Sequence, residues 1–190
     1  QYDDAIAAYE DVLKSRPGDI GVTLALLQTL TESSTKSLGL GLFNDAAELA
    51  HQAISVATSL VQIKSDIFNL WKAVGDAFSN FSYMKAKAGK LSAPSCKALL
   101  TVDLDPMALD VMTDVDGVGT DWLAANASEE PMPAEFYVHL SIIAFKRALH
   151  ISAHDTHSQA VAWYNLGWAE YLAYRTVQPD PTKKGKKSRK

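Results

Sequence analysis

The sequence is poor in several features that define common classes of protein. It has one cysteine in 190 residues, Cys96, which cannot form an internal disulfide and fits a reducing compartment best. It has no run of about 18 apolar residues, which a membrane-spanning helix requires. It also has no basic and then apolar N-terminal segment of the kind found in secretory signals. These absences predict a protein that does not contact membranes and lies in the cytoplasm.

The sequence also lacks a recognisable catalytic or cofactor-binding motif. There is no phosphate-binding glycine loop and no nucleophile elbow, and Gly117-Val118-Gly119 lacks the third glycine and the strand of a dinucleotide site. His150, His154 and His157 are spaced for a helix, but a predicted turn separates them and no acidic or cysteine ligand completes a metal set. Asp114-Val115-Asp116-Gly117 lacks the glycine and glutamate positions of a calcium loop. We therefore expect no metal, no cofactor and no enzymatic activity.

What the sequence does contain is typical of a folded helical domain. Hydrophobic residues make up 47% of the chain and the net charge is only −4, so the chain has enough apolar material for a core. Apolar residues recur three and four positions apart through most of the sequence, which predicts amphipathic helices. The pattern therefore predicts an all-α fold.

Six helices are predicted, in two blocks. They are expected at residues 2–13, 19–31, 43–61, 66–83 and 134–151, and from the turn at 152–156 to about residue 174. Pro17 ends the first helix, and residues 32–37 are predicted to be a polar connection. Residues 1–84 form the first block and 134–176 the second. Between them, residues 85–133 contain four prolines and are predicted to be a long irregular insertion, and residues 177–190 a basic tail or linker.

Two of the predicted helices share a tryptophan followed four residues later by a glycine. The matched positions are Trp71, Val74, Gly75 and Phe78 in one helix and Trp163, Leu166 and Gly167 in the other. A glycine inside a helix costs roughly 1 kcal/mol relative to alanine, so its presence indicates a close approach by another helix. We expect the ring to fill the gap beside that approach. On this interpretation Trp163→Ala leaves a cavity and Gly167→Leu overpacks, so both should destabilise the fold.

Three other helices share a second pattern, in which the second position is always small. These helices carry Tyr2, Ala5, Tyr9 and Val12; Phe43, Ala46, Ala50 and Ala53; and Val138, Ser141, Phe145 and Ala148. We call helices of the tryptophan–glycine pattern type A and helices of this second pattern type B. The residues 19–31 helix stands in a type A place, so the chain alternates B, A, B, A, insertion, B, A.

This alternation resembles tetratricopeptide (TPR) repeats, in which the A helix carries Trp-x-x-Leu-Gly-x-x-Tyr and the B helix Ala-x-x-x-Phe-x-x-Ala followed by proline. Residues 2–17 match the B half as far as Pro17. Residues 19–31 lack the tryptophan and the glycine, and Glu170 stands at the tyrosine position. The resemblance implies a solenoid of helical hairpins with a long irregular insertion. The alternative is an ordinary helical bundle, whose helices need not share the type A and type B residue patterns.

Three segments more closely resemble the TPR scaffold subunits of superkiller complexes. They are residues 2–9, 69–77 and 160–167, of which the Leu-Trp-Lys-x-x-Gly-Asp string at 70–76 is the most specific. The resemblance implies a non-catalytic scaffold. Such a scaffold holds an RNA helicase and WD-repeat subunits in a cytoplasmic assembly that feeds messenger RNA to the exosome for decay.

Other functions stay open. The chain is alternatively a general TPR adaptor that binds a peptide in its concave groove. The subclass that grips the acidic C-termini of chaperones is disfavoured, because Asp76 stands beside Lys72 and would repel a carboxylate. The basic residues 183–190 are a solvated linker, a contact for RNA through counterion release, or a nuclear import signal.

The ends of the chain carry a further expectation. The first helix is of type B without an A partner, and the last is of type A without a B partner, so each leaves an apolar face to be covered. Solenoid repeats need capping helices at their ends, and neither end has one. We expect this chain to be a piece of a longer solenoid; alternatively, the basic tail leads into the missing helix.

Overall fold

All regular structure in the described part of the chain is helical. A computed structural model describes residues 2–88, 134–152 and 154–177, with no strand in these ranges. The helices are α1 (Tyr2–Ser15), α2 (Ile20–Gly39), α3 (Phe43–Ile63), α4 (Phe68–Ala88), α5 (Ala134–Ile151) and α6 (Thr156–Val177). The all-α prediction is confirmed. Most of the predicted insertion, including Cys96 and the glycine and aspartate motifs between 114 and 119, lies outside the described residues, as does the basic segment 183–190.

Two helices, α2 and α4, extend well beyond their predicted ends, whereas α1, α3 and α6 run only two or three residues further. The α4 helix continues through Ala88, so residues 85–88 belong to this helix and not to the insertion. The α2 helix continues to Gly39, through the residues 32–37 that were predicted to be a polar connection. That prediction was wrong, and the reason lies in contacts from other helices.

A buried polar cluster keeps the second half of α2 helical. The Ser34 hydroxyl is fully buried and donates a hydrogen bond to the backbone carbonyl of Ala46 in α3, at 2.8 Å. From α4, the amide nitrogen of Asn80 donates to the Thr35 hydroxyl at 2.9 Å and lies 3.5 Å from the Ser34 hydroxyl. Buried polar groups are tolerated when they are hydrogen-bonded. These serine and threonine side chains therefore join three helices instead of ending one.

The turn between α1 and α2 follows the sequence closely. Pro17 stands just past the end of α1, where a missing N–H is not needed for the helix. Asp19 has an extended backbone conformation, and its side chain accepts a hydrogen bond from the Val22 N–H at 3.0 Å. This is the usual way in which an aspartate satisfies a free N–H group at a helix start.

Consecutive helices pack on one another along the chain. Contacts join α1 to α2, α2 to α3, α3 to α4, α4 to α5 and α5 to α6. The most extensive contact is between α4 and α5, although 45 residues (89–133) separate them in the sequence. Helices two apart also touch, since α2 contacts α4 and α4 contacts α6. The helices therefore form a progression in which each layer rests on the one before.

The main hydrophobic core lies between α2, α3, α4 and α5. On α3 it is lined by small side chains, which are wholly or almost wholly buried: Ala46, Ala47, Ala50, Ala53 and Ala57. Small residues allow helices to approach closely on both sides of α3. A second, smaller cluster joins α5 to α6. The α1 helix has no fully buried residue; Ala5 and Tyr9 on its apolar stripe are only half-buried, because only α2 covers this helix extensively.

We predict that Asn80→Ala lowers the free energy of unfolding by about 1–3 kcal/mol, because Thr35 and Ser34 lose a buried partner. Asn69→Ala is the matched control on the exposed side of the same helix. It should change stability by less than about 0.5 kcal/mol. Urea unfolding followed by circular dichroism measures both variants, and equal effects would contradict the role given to the polar cluster.

Candidate interaction surface

The tryptophan of α4 is held by contacts from two other parts of the chain. The Trp71 side chain is 1% exposed, and its indole N–H donates to the carbonyl of Ser65 at 2.6 Å. The guanidinium carbon of Arg147 lies over the ring, 4.4 Å from its centroid, in a cation–π arrangement. Because a buried indole N–H needs a partner, the Ser65 bond also fixes how the ring is turned. Trp71 therefore ties the turn before α4 to the middle of α5.

The glycine of α4 marks a close approach between helices. A Cβ atom at Gly75 would lie 2.6 Å from Cδ1 of Phe145, which is too near for any real side chain. Phe145 is itself buried and belongs to the hydrophobic cluster that also contains Leu166 of α6. The close approach expected from the glycine is present at this position. The ring of Phe145 consequently belongs to both the α4–α5 and the α5–α6 contacts.

A cluster of aromatic rings continues the α4–α5 contact toward the end of α4. Tyr137 lies 4.7 Å from Phe81 and 5.5 Å from Phe136, ring centre to ring centre, both with edge-to-face geometry. Its ring is also stacked on that of Phe78 at 6.5 Å. Such arrangements add about 0.5–1.5 kcal/mol per pair beyond the burial of area. The predicted repeat positions Phe78, Phe145 and Ala148 all lie in these buried contacts.

Charged side chains of α4 and α5 are engaged within the fold. Burial lowers the pKa of Arg147 to about 10, so this group is still cationic at neutral pH. On α4, the Lys72 ammonium lies 2.8 Å from the Asp76 carboxylate. Burial raises the pKa of Asp76, while Lys72 opposes the rise. Lys72 is thus already paired within its own helix, which agrees with the absence of a carboxylate-gripping pair noted in the sequence.

The matching positions on α6 do not pack as the sequence predicted. Trp163 is 60% exposed, and a Cβ atom at Gly167 would meet no neighbour within 4 Å. Leu166 is buried, and with Ala169 it packs against α5. The expectation that Trp163 and Gly167 lie at a helix contact was wrong for the described part of the chain. The reason is that α6 packs on α5 through Leu166 and Ala169, which leaves the tryptophan and the glycine exposed beside that contact.

The open side of α6 is rich in aromatic rings. We call this surface the α6 aromatic face, and it comprises Trp163, Tyr164, Trp168, Tyr171 and Tyr174, each about half to three-quarters exposed. The Trp168 and Tyr171 rings lie 5.6 Å apart. Single exposed apolar residues are ordinary, but a contiguous group is typical of an interaction site. The sequence pattern identified Trp163 and Gly167 but not the other rings.

Alignment of the two type A helices shows why this face is open. When Trp163 is placed on Trp71, Gly167 falls on Gly75 and Leu166 on Val74. In α4 the tryptophan–glycine side is covered by α5. No helix among the described residues covers the same side of α6. The α6 aromatic face is therefore the uncovered counterpart of the surface on which α5 packs.

The structure gives no sign of a metal site or a membrane segment in its described parts. No group of three or more histidine, cysteine, aspartate or glutamate side chains there could hold a metal ion. His154 and His157 are exposed on either side of the turn into α6. Within residues 2–88 and 134–177, no helix combines the length and apolarity needed to cross a membrane.

Comparison with known proteins adds no assignment. No family model, no curated protein and no solved structure matches the chain. The functional interpretation therefore rests on the residues and their contacts.

We predict opposite effects for alanine at the two helical glycines. Gly75→Ala forces the Phe145 ring out of a packed site and should lower stability by about 1–3 kcal/mol. Gly167→Ala adds a methyl group in open space and a better helix former, so it should raise stability by up to about 1 kcal/mol. Thermal unfolding of the two variants measures the difference, and a destabilising Gly167→Ala would show that α6 has a close neighbour.

We also predict that the two tryptophans differ strongly. Trp71→Ala removes a buried ring and should cost about 3–5 kcal/mol of stability. Trp163→Ala removes an exposed ring and should change stability by less than about 0.5 kcal/mol, in contrast to the expectation from sequence. Denaturant unfolding curves, fitted with the same dependence of the unfolding free energy on denaturant concentration, measure both variants. Trp163→Ala is the control for the loss of a tryptophan.

Proposed function

We propose that this chain is a TPR-type scaffold segment that holds protein partners in a superkiller-type assembly and does no chemistry itself. The proposal joins the resemblance of the sequence to TPR scaffold subunits with the pairing of helices in the structure. The observation that carries it is the α6 aromatic face. A surface of the kind that α5 covers on α4 is left open on α6, and it is lined with the residue types that are enriched at protein interfaces.

The packing order of the helices supports the solenoid part of the proposal. In helical-hairpin repeats, each unit contacts only its neighbours, and stacking buries a continuous core. Here α2 with α3 and α4 with α5 are the paired units, and the contacts α2–α4 and α4–α6 join one unit to the next. An ordinary bundle would instead surround one central core on all sides.

The α6 aromatic face also indicates what kind of element would bind there. On α4, the glycine side receives the Phe145 ring, and Ala148 of the same helix is fully buried. A helix that offers a ring and small residues at the spacing of Phe145 and Ala148 would fit Gly167 and Trp163 in the same way. We therefore propose that a partner helix with the type B residue pattern binds this face.

Binding to purified subunits tests the proposal. The full chain, immobilised, should retain the RNA helicase or the WD-repeat subunits of a superkiller complex. The double variant Trp163→Ser/Tyr171→Ser should weaken retention about tenfold or more, because exposed aromatic residues dominate such interfaces. Ile63→Ser, at an exposed site of α3 away from this face, is the control and should bind like the unaltered chain.

Two outcomes would overturn the proposal. One is that the unaltered chain retains neither subunit, and the other is that Trp163→Ser/Tyr171→Ser binds as well as Ile63→Ser. Circular dichroism of each variant ensures that a loss of binding is not a loss of fold.

A second function has one specific observation in its favour. The neighbouring rings of Trp168 and Tyr171 form an exposed aromatic pair on which an extended peptide could stack. This would make the chain a peptide-binding TPR adaptor. Saturable binding on an array of short peptides, lost in Trp168→Ser but not in Ile63→Ser, would favour the adaptor over the scaffold.

A further inference from the structure

An open groove lies at the other end of the described helices, between α1, α2 and α3. Its volume is about 450 Å³, within the range of small-ligand and side-chain sites. It is lined by Tyr2 and Asp3 from α1, by Ser33 and Lys36 from α2, and by Asp45 and Glu48 from α3, together with leucine side chains. No part of the α6 aromatic face enters it.

The charges in this groove do not balance. Three carboxylates line it, on Asp3, Asp45 and Glu48, against the one ammonium group of Lys36. None of the three carboxylates makes an ion pair with a residue that the structure describes. Lys36 instead lies over the Tyr2 ring, 5.3 Å from its centroid. The groove therefore carries negative charge that no described residue pairs with.

A serine that is almost wholly buried also lines the groove. Ser33 is 7% exposed and lines the groove, and its side chain makes no hydrogen bond to any described residue. Most serines and threonines of α2 differ in this respect, since Thr23, Thr31 and Ser34 all donate to backbone carbonyls. The Ser33 oxygen is nevertheless not shut off from solvent, so it can hydrogen-bond water or a ligand group in the groove. The Ser33 hydroxyl can accept a hydrogen bond from a cationic group that enters the groove.

We propose that this groove binds the cationic side chain, lysine or arginine, of a partner polypeptide. The ammonium or guanidinium group would lie among Asp45, Glu48 and Asp3 and would donate to the Ser33 hydroxyl. The leucine side chains at the rim suit the apolar stem of such a residue, which packs on apolar surface while its charge stays solvated. The Tyr2 ring already receives the ammonium group of Lys36, which shows that a cation fits against its face.

The role of Lys36 makes this proposal different from simple attraction to an acidic surface. Lys36 occupies the ring face and repels an incoming cation, so it limits the affinity of the groove. Removing its charge should therefore strengthen binding, whereas removing a carboxylate should weaken it. Substitutions elsewhere on the surface that change the net charge by the same amount should have little effect at moderate salt, because separate exposed charges are screened beyond about 10 Å at 0.1 M.

Fluorescence anisotropy with the full chain and a labelled octalysine peptide tests the proposal. Asp45→Asn and Glu48→Gln should each raise the Kd about two- to fourfold, and the double variant about tenfold, which are the effects expected of exposed ion pairs acting together. Lys36→Gln should lower the Kd about two- to threefold. Glu10→Gln, an exposed site on α1 outside the groove, is the charge-matched control and should leave the Kd unchanged.

The signs of the changes decide the outcome. If Glu10→Gln weakens binding as much as Glu48→Gln, the net charge alone attracts the peptide and the groove is not a site. If Lys36→Gln weakens binding, or if the unaltered chain does not bind octalysine at 0.1 M salt, the proposal is also overturned. These results are independent of the α6 aromatic face, since none of the substitutions lies near it.

Discussion

The contact between Gly75 and the Phe145 ring is the constraint on which the packing of the second half of the molecule depends. Because no side chain fits at Gly75, α4 and α5 approach closely enough for Arg147 to lie on Trp71 and for Tyr137 to reach Phe81. The same Phe145 ring lies in the hydrophobic cluster that joins α5 to α6, so the position of α6 depends on that of α5. The absence of a side chain at Gly75 thus sets the spacing of α4, α5 and α6.

Much of this arrangement could be predicted from the sequence, and the failures have physical reasons. The bounds of α5 followed from helical spacing. The close approach of a helix at Gly75 followed from the cost of a glycine inside a helix. Both signals lie within a single helix. The helical state of residues 32–37 did not follow, because it depends on Asn80, which is far away in the chain. The exposure of Trp163 could not be predicted from the tryptophan–glycine pattern either. A tryptophan–glycine pattern indicates that a surface is built for a neighbour, but it does not tell whether that neighbour is present.

The two surfaces proposed for binding differ in their chemistry. The α6 aromatic face is rich in exposed rings, which suits the burial of a helix and a slow dissociation. The groove between α1, α2 and α3 is small and acidic, which suits one cationic side chain and an association that weakens with salt. A scaffold with both could contact a partner at each end of its stack. The sequence pointed toward the first surface through repeated motifs, whereas the groove draws on three helices and has no local signature.

The tightest helix pair is also the pair with the longest chain between its members. Bringing together two helices that are 45 residues apart in the sequence costs more chain entropy than joining helices that are only a few residues apart. The hairpin of α2 and α3 should accordingly assemble early, and α5 should dock late. Until it docks, the rings of Trp71 and Phe78 stand open to solvent. A nascent chain of this kind is therefore most vulnerable to self-association in the interval between the synthesis of α4 and the arrival of α5.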